Sequence, residues 1–234
     1  MAAPDRATRS SPLMFTSAAR LQRSLTAPLE KRTLIWLAKR TPRTINSDHL
    51  TLLGFAAQLL AGVSYALARW NRYALLLVIF FLALNWLGDS LDGTLARVRN
   101  CQRPRYGFYV DHIVDTFSAL FLMGGLALSG YVHPAIAFGM LVAFLMLSIE
   151  SYLTTYVLGE FQLSYWIFGP TEIRLLLAVG NLVLLHSANI SVFGLRLRLF
   201  DVGGMIAITG MMVMTVVSAL RHTRTLYTAE RVDD

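Results

Sequence analysis

The sequence predicts an all-α integral membrane protein with six transmembrane helices and an N-terminal interfacial amphipathic helix. Three observations predict it. Hydrophobic residues fill 55% of the 234 positions and charged residues only 15%, and the mean hydropathy is +0.53, too apolar for a single water-soluble core. Several windows reach the roughly 20 mostly apolar residues that a crossing requires, with no soluble domain between them. The charges gather at the ends of these windows.

Along the chain, residues 1–27 are expected to be disordered or loosely ordered, since the first 12 are small and polar. Arginines are scattered through the first 45 residues and no signal-peptide core is visible. Residues 28–40, PLEKRTLIWLAKR, mix Leu29, Leu34, Trp36 and Leu37 with Lys31, Arg32, Lys39 and Arg40. That segment is too short and too charged to span, and it is expected along the interface against anionic headgroups. Spans are expected at about 50–69, 72–95, 107–131, 134–158, 172–188 and 201–221, on apolar length alone. The last is rich in Gly and Met, which suits close helix packing. The membrane domain thus covers 28–222, and 223–234 form a tail.

Of the 21 Lys and Arg residues, Arg69, Arg72, Arg196 and Arg198 fall on one side of this topology and the other 17 on the opposite side. The positive-inside rule then places both termini and the 97–106 loop in the cytoplasm. The formal charge of +7 is therefore explained by membrane flanks and not by nucleic acid, for which no fold signature is present. The single Cys101 excludes an internal disulfide.

Asp89 and Asp92, three apart at the end of the second span, share a helix face, as do Asp111 and Asp115, four apart on the third. A loop of about ten residues with Pro104 joins them, so the two helix ends are expected to be neighbours and four carboxylates to converge. Such a cluster at a membrane edge cannot stay charged without cations. Oxygen-only ligands favour Mg²⁺ or Mn²⁺, and four carboxylates can hold two ions, an arrangement suited to phosphorus chemistry. Gly93 and Gly107 strip the surface where a substrate would approach, Ala96 continues it, and Arg97 can reach a phosphate. The plainer alternative is interhelical pairing of the four aspartates with Arg97, Arg99, Arg103 and Arg105. Asn85, one turn before Asp89, is expected to bond between helices. His49, His133 and His222 fall at span edges, as interfacial residues do.

The string D-x-x-D-G-x-x-A-R-x9-G-x-x-x-D-x-x-x-D, from Asp89 through Asp115, resembles the signature of the CDP-alcohol phosphotransferase family at all eight fixed positions. Asp48-His49-Leu50-Thr51 followed by Gly54 is similar to the family's entry into its first span. The resemblance implies a six-helix membrane core, usually homodimeric, that displaces CMP from a CDP-alcohol with a second alcohol. It further implies Asp89, Asp92 and Asp111 as metal ligands, with Asp115 completing the site and acting as general base. Gly93, Ala96, Arg97 and Gly107 would face CDP, with Asp48 and Thr51 near the nucleotide.

Family members differ in which partner carries the lipid. Glu150 and Glu172, with Tyr152, Tyr156, Tyr165 and Trp166 nearby, could hold an amino or quaternary ammonium group. The E-x-Y-x-T and G-P-T-E strings, and His112 after Asp111, resemble choline and ethanolamine phosphotransferases. That likeness implies CDP-ethanolamine or CDP-choline plus diacylglycerol, with His112 and Glu172 assisting Asp115. The alternative is CDP-diacylglycerol plus a small alcohol such as glycerol 3-phosphate, inositol phosphate or serine, and a phosphorylated acceptor would require several cations. Glu172 could equally cap the fifth span. A cation transporter would need polar positions through the full membrane depth. A lipid-pyrophosphate phosphatase and a non-catalytic scaffold are the remaining alternatives.

Overall fold

The computed structural model describes residues 19–21, 27–162, 169–192 and 194–230. The expected disorder of residues 1–12, and Tyr165 and Trp166, lie outside them. The described chain is helical: α1 (Ala27–Arg40), α2 (Ser47–Ala68), α3 (Ala74–Val98), α4 (Pro104–Leu128), α5 (Pro134–Leu158), α6 (Pro170–His186) and α7 (Leu199–Ala229). Two small ribbons accompany them. β1 (Ala19–Leu21) pairs in parallel with β2 (Glu160–Gln162), and β3 (Asn189–Val192) pairs antiparallel with β4 (Leu195–Arg198).

Helix starts follow local chemistry. The side chain of Asn46 caps α2 by accepting from the His49 N–H at 3.0 Å, while His49 Nδ1 accepts the Asn46 N–H at 3.4 Å. Proline opens α4, α5 and α6, where a missing N–H costs nothing. α5 stops at Gly159, whose φ of +71° is left-handed.

Five helices, α2, α3, α4, α5 and α7, are long and apolar enough to cross a membrane. The remaining expected span is α6, whose 17 residues stand at the short limit for a crossing. The segment expected at the interface is α1. It buries Leu34 and Ala38 against Leu50, Leu91 and Leu95, and leaves Leu29 and Trp36 exposed.

α2 is the central helix and packs on both α3 and α4. A Cβ added at Gly88 would lie 2.5 Å from the Gly54 nitrogen, and one at Gly125 would lie 1.9 Å from the Gly62 oxygen. Backbones can come this close only where side chains are absent. Asn85 donates to the Gly54 carbonyl at 3.0 Å, the expected interhelical bond. The sequence expectation that the ends of α3 and α4 meet directly is refined here, since α2 between them sets their separation. A second buried tie joins Asn181 of α6 to the Tyr65 hydroxyl of α2 at 2.9 Å. In α7, Gly204 packs on Ile136 and Met140, whereas Gly203 and Gly210 face open space.

Candidate active site

A cleft of about 1530 Å³ opens at one end of the bundle, where α2 and α4 begin and α3 ends. Asp89, Asp92 and Asp111 line it, together with Gly93, Ala96, Arg97, Gly107, Asp48 and Thr51. Asp115 lies one turn deeper on α4, behind the lining, where it feels the charges of Asp89, Asp111, Arg174 and Asp92. Three of the four aspartates therefore face one volume from two helices, with Asp115 behind them.

Neighbouring loops hold these helix ends. Arg99 donates to the carbonyls of Ile45 at 2.5 Å, Thr41 at 2.8 Å and Pro42 at 2.9 Å, fastening the α3–α4 loop onto the α1–α2 loop. Ser47 donates to the Asp92 carbonyl at 3.2 Å. Thr51 donates to Asp92 Oδ2 at 2.5 Å, and the Gly93 N–H meets the other carboxylate oxygen. Asp48 pairs with Arg103, whose guanidinium also lies 4.1 Å from the centre of the Tyr106 ring. Arg174, at the start of α6, reaches Asp89 Oδ2 at 2.5 Å. Arg97 donates to Thr94 at 3.0 Å and shields Gly93.

Four carboxylates offer only hard oxygen donors, a chemistry that fits Mg²⁺ or Mn²⁺. The side-chain directions do not gather them on one point: among the described residues no three His, Cys, Asp or Glu side chains form a group that could hold an ion. The reason is visible in Asp89, turned toward Arg174, and Asp92, turned onto Thr51 and Gly93. To share a cation, Asp89 and Asp92 would have to leave these partners and change rotamer.

The two acids singled out for an ammonium group lie elsewhere. Glu172 is buried and accepts the Gly169 N–H at 2.9 Å, which makes it the cap of α6. Glu150 accepts from His222 Nδ1 at 2.6 Å and from Thr154 at 3.0 Å, tying α5 to α7. Neither lines the cleft, whereas Tyr152 and Tyr156 do. His112 is buried behind the Asp111 turn, its ring 4.1 Å from Phe108 and 4.5 Å from Tyr152. Its Nδ1 lies 2.5 Å from the Phe108 carbonyl, so that nitrogen carries the proton.

Sequence reasoning missed one participant, Glu30, and read two others differently. Glu30 lines the cleft from α1, Tyr152 from α5, and Arg174 pairs directly with an aspartate of the motif. The sequence marks Tyr152 for an ammonium group and Arg174 as a lone cation near the start of an apolar span.

One curated relative, the archaetidylinositol phosphate synthase of Pyrococcus horikoshii, is 33% identical over 104 residues, 44% of this chain and 52% of the relative. The chain therefore spans about half the length of that relative. Residues 45–220, which hold every aspartate of the cleft, match the family model described as CDP-alcohol phosphatidyltransferase, and the chain belongs to that family.

Proposed function

We propose that this protein transfers a phospho-alcohol group from a CDP-linked lipid such as CDP-diacylglycerol to the hydroxyl of a small phosphorylated alcohol, with release of CMP. The observation that carries the reading is the cleft itself, where seven of the eight motif residues, Arg97 among them, meet three further cationic side chains, Lys31, Arg103 and Arg174. Cations suit a phosphorylated acceptor. The acids that would favour choline or ethanolamine are engaged as helix cap and helix tie. The relative's name, which includes inositol phosphate, points the same way.

In this reading Arg97 binds the diphosphate, and Asp48 and Thr51 flank the nucleotide. Gly93, Ala96 and Gly107 leave room for it. Asp115 takes the proton from the acceptor hydroxyl, whose oxygen bonds to the lipid-side phosphorus while the bond to the CMP oxygen breaks. CMP departs with that electron pair. Asp115 suits the role because, among the described residues, no hydrogen bond or ion pair holds its carboxylate, and it lies among the motif's other charges. Divalent ions held by Asp89, Asp92, Asp111 and Asp115 would supply neutralisation of phosphate charge. The charge bias of the loops supports placing the cleft and both termini at the cytoplasmic face.

The purified protein should release CMP from CDP-diacylglycerol with inositol 1-phosphate or glycerol 3-phosphate in the presence of Mg²⁺. Release only from CDP-ethanolamine plus diacylglycerol would reverse the substrate reading, and release from no pair would end it. For the orientation, an impermeant maleimide should reach the exposed Cys101 only after cells are opened. Labelling in intact cells would invert the topology.

A further inference from the structure

Glu30 sits in the first turn of α1, where sequence alone assigns an acid nothing more than a favourable helix-dipole position. The structure gives it different work. One oxygen, Oε1, accepts from Trp86 Nε1 at 2.9 Å, from Ser90 Oγ at 3.2 Å and from Thr171 Oγ1 at 2.9 Å. The first two donors stand one turn apart on α3, and the third opens α6. All three are neutral, and no cation pairs with Glu30 among the described residues.

The placement of these donors matters more than their number. Ser90 follows Asp89 directly, and Thr171 stands one turn before Arg174 on α6. Asp89 and Arg174 meet at 2.5 Å. Two bridges therefore join α3 to α6 within a single turn, one direct and one through the Glu30 carboxylate. The second also seats α1, which lines the cleft with Pro28, Lys31, Leu34 and Ile35. A carboxylate oxygen can take several donors at once, and bonds to a charged acceptor are shorter and stronger than neutral ones.

We propose that Glu30 is a positioning residue for the transfer site. It fastens α1 to α3 and α6 through one carboxylate oxygen and so fixes the separation of Asp89 and Arg174. Glu30 touches no reacting atom in this account, which rests on reading the cleft as a CDP-alcohol transfer site. Slack between α3 and α6 would let the two facing groups drift, and misplacement by about 1 Å is enough to slow a reaction by orders of magnitude.

The test compares wild type, Glu30→Ala and Glu30→Gln as purified full-length protein, with turnover taken per folded molecule from the monodisperse gel-filtration peak. Glu30→Ala should lower kcat about tenfold or more, while Glu30→Gln, which keeps an acceptor oxygen, should recover most of it. A ¹⁹F resonance from 5-fluorotryptophan, assigned to Trp86 with Trp86→Phe, should move in Glu30→Ala and stay near its place in Glu30→Gln. If Glu30→Ala does not fold, Thr171→Val removes the α6 donor alone and should lower kcat in the same direction. Wild-type kcat in folded Glu30→Ala, or an unmoved Trp86 resonance, overturns the proposal. Absence of CMP release from wild type with every substrate pair would instead mark failure of the underlying functional reading.

Discussion

α2 approaches both α3 and α4 through bare glycine backbones, whereas α7 meets the rest of the bundle along a narrow line. The most apolar 18-residue window of α2 is 44% buried within the molecule, and that of α7 only 6%. The aspartates stand on the tightly packed helices. The functional reading asks for carboxylates held in a fixed relation, and close backbone packing through Gly54–Gly88 and Gly62–Gly125 can provide it. α7 carries none of the motif, and its large outward apolar surface faces whatever surrounds the bundle. Stiffness is thus concentrated where the cleft is, and substitutions in the two regions should behave differently.

The largest effect should come from the packed region. Asp115→Asn keeps the volume of the side chain, relieves repulsion from Asp89 and Asp111, and removes the proton acceptor. CMP release should fall roughly 10³-fold, within the range general bases supply, while gel filtration and thermal midpoint stay at or above wild type. Retained turnover would remove Asp115 from the base role and leave it a structural member of the cluster.

Next is the packing itself. Gly125→Ala would put a methyl group 1.9 Å from the Gly62 carbonyl oxygen, a backbone atom that cannot step aside. α2 and α4 must then separate, at a cost of about 3 kcal/mol, the upper part of the overpacking range. Because α2 sets the spacing between the two aspartate helices, turnover per folded molecule should fall along with the thermal midpoint. A variant with both properties unchanged would show that the contact is slack, and the contrast between the two regions would lose its basis.

Much of this arrangement was legible in the residues. Spacing placed Asp89 with Asp92 and Asp111 with Asp115, because helical periodicity is a local property. Apolar length located the helices to within a few residues at most ends, although α7 runs on to Ala229, past the expected end near 221. The ribbon of β3 and β4 was not anticipated, since NISV and LRLR are short and sit beside a long apolar run. What sequence could not show was partner choice between distant elements. Glu172 stands beside the cleft-lining Thr171 and Arg174; the sequence leaves an ammonium role and a helix cap both open, and the folded chain decides by turning the carboxylate back to the Gly169 N–H. Nothing local marks Glu30, whose three donors come from residues 56 to 141 positions away.

The loosely packed side offers a smaller effect. Glu150, His222 and Thr154 form the polar tie between α5 and α7, with 2.6 Å from His222 to the carboxylate and 2.9 Å to the threonine. His222→Ala leaves a half-buried carboxylate short of a donor and should cost about 1–3 kcal/mol. The thermal midpoint in detergent should drop, and CMP release per folded molecule should stay at the wild-type value. A drop in turnover with an unchanged midpoint would link α7 to the cleft and break the division drawn here.

The smallest effect sharpens the contrast most. Gly210→Ala adds a methyl group where nothing lies within 4 Å. In a helix interior alanine is favoured over glycine by about 0.5–1 kcal/mol, so the variant should be as stable as wild type or slightly more so. The same chemical change that disrupts α4 at Gly125 should therefore be harmless on α7, and the difference is set by what each glycine faces. A clear loss of stability at Gly210 would mean that another surface covers this side of α7 in the membrane. Size-exclusion chromatography with light scattering would then show whether a second copy of the chain supplies it, because the mass of the particle would fall with the substitution.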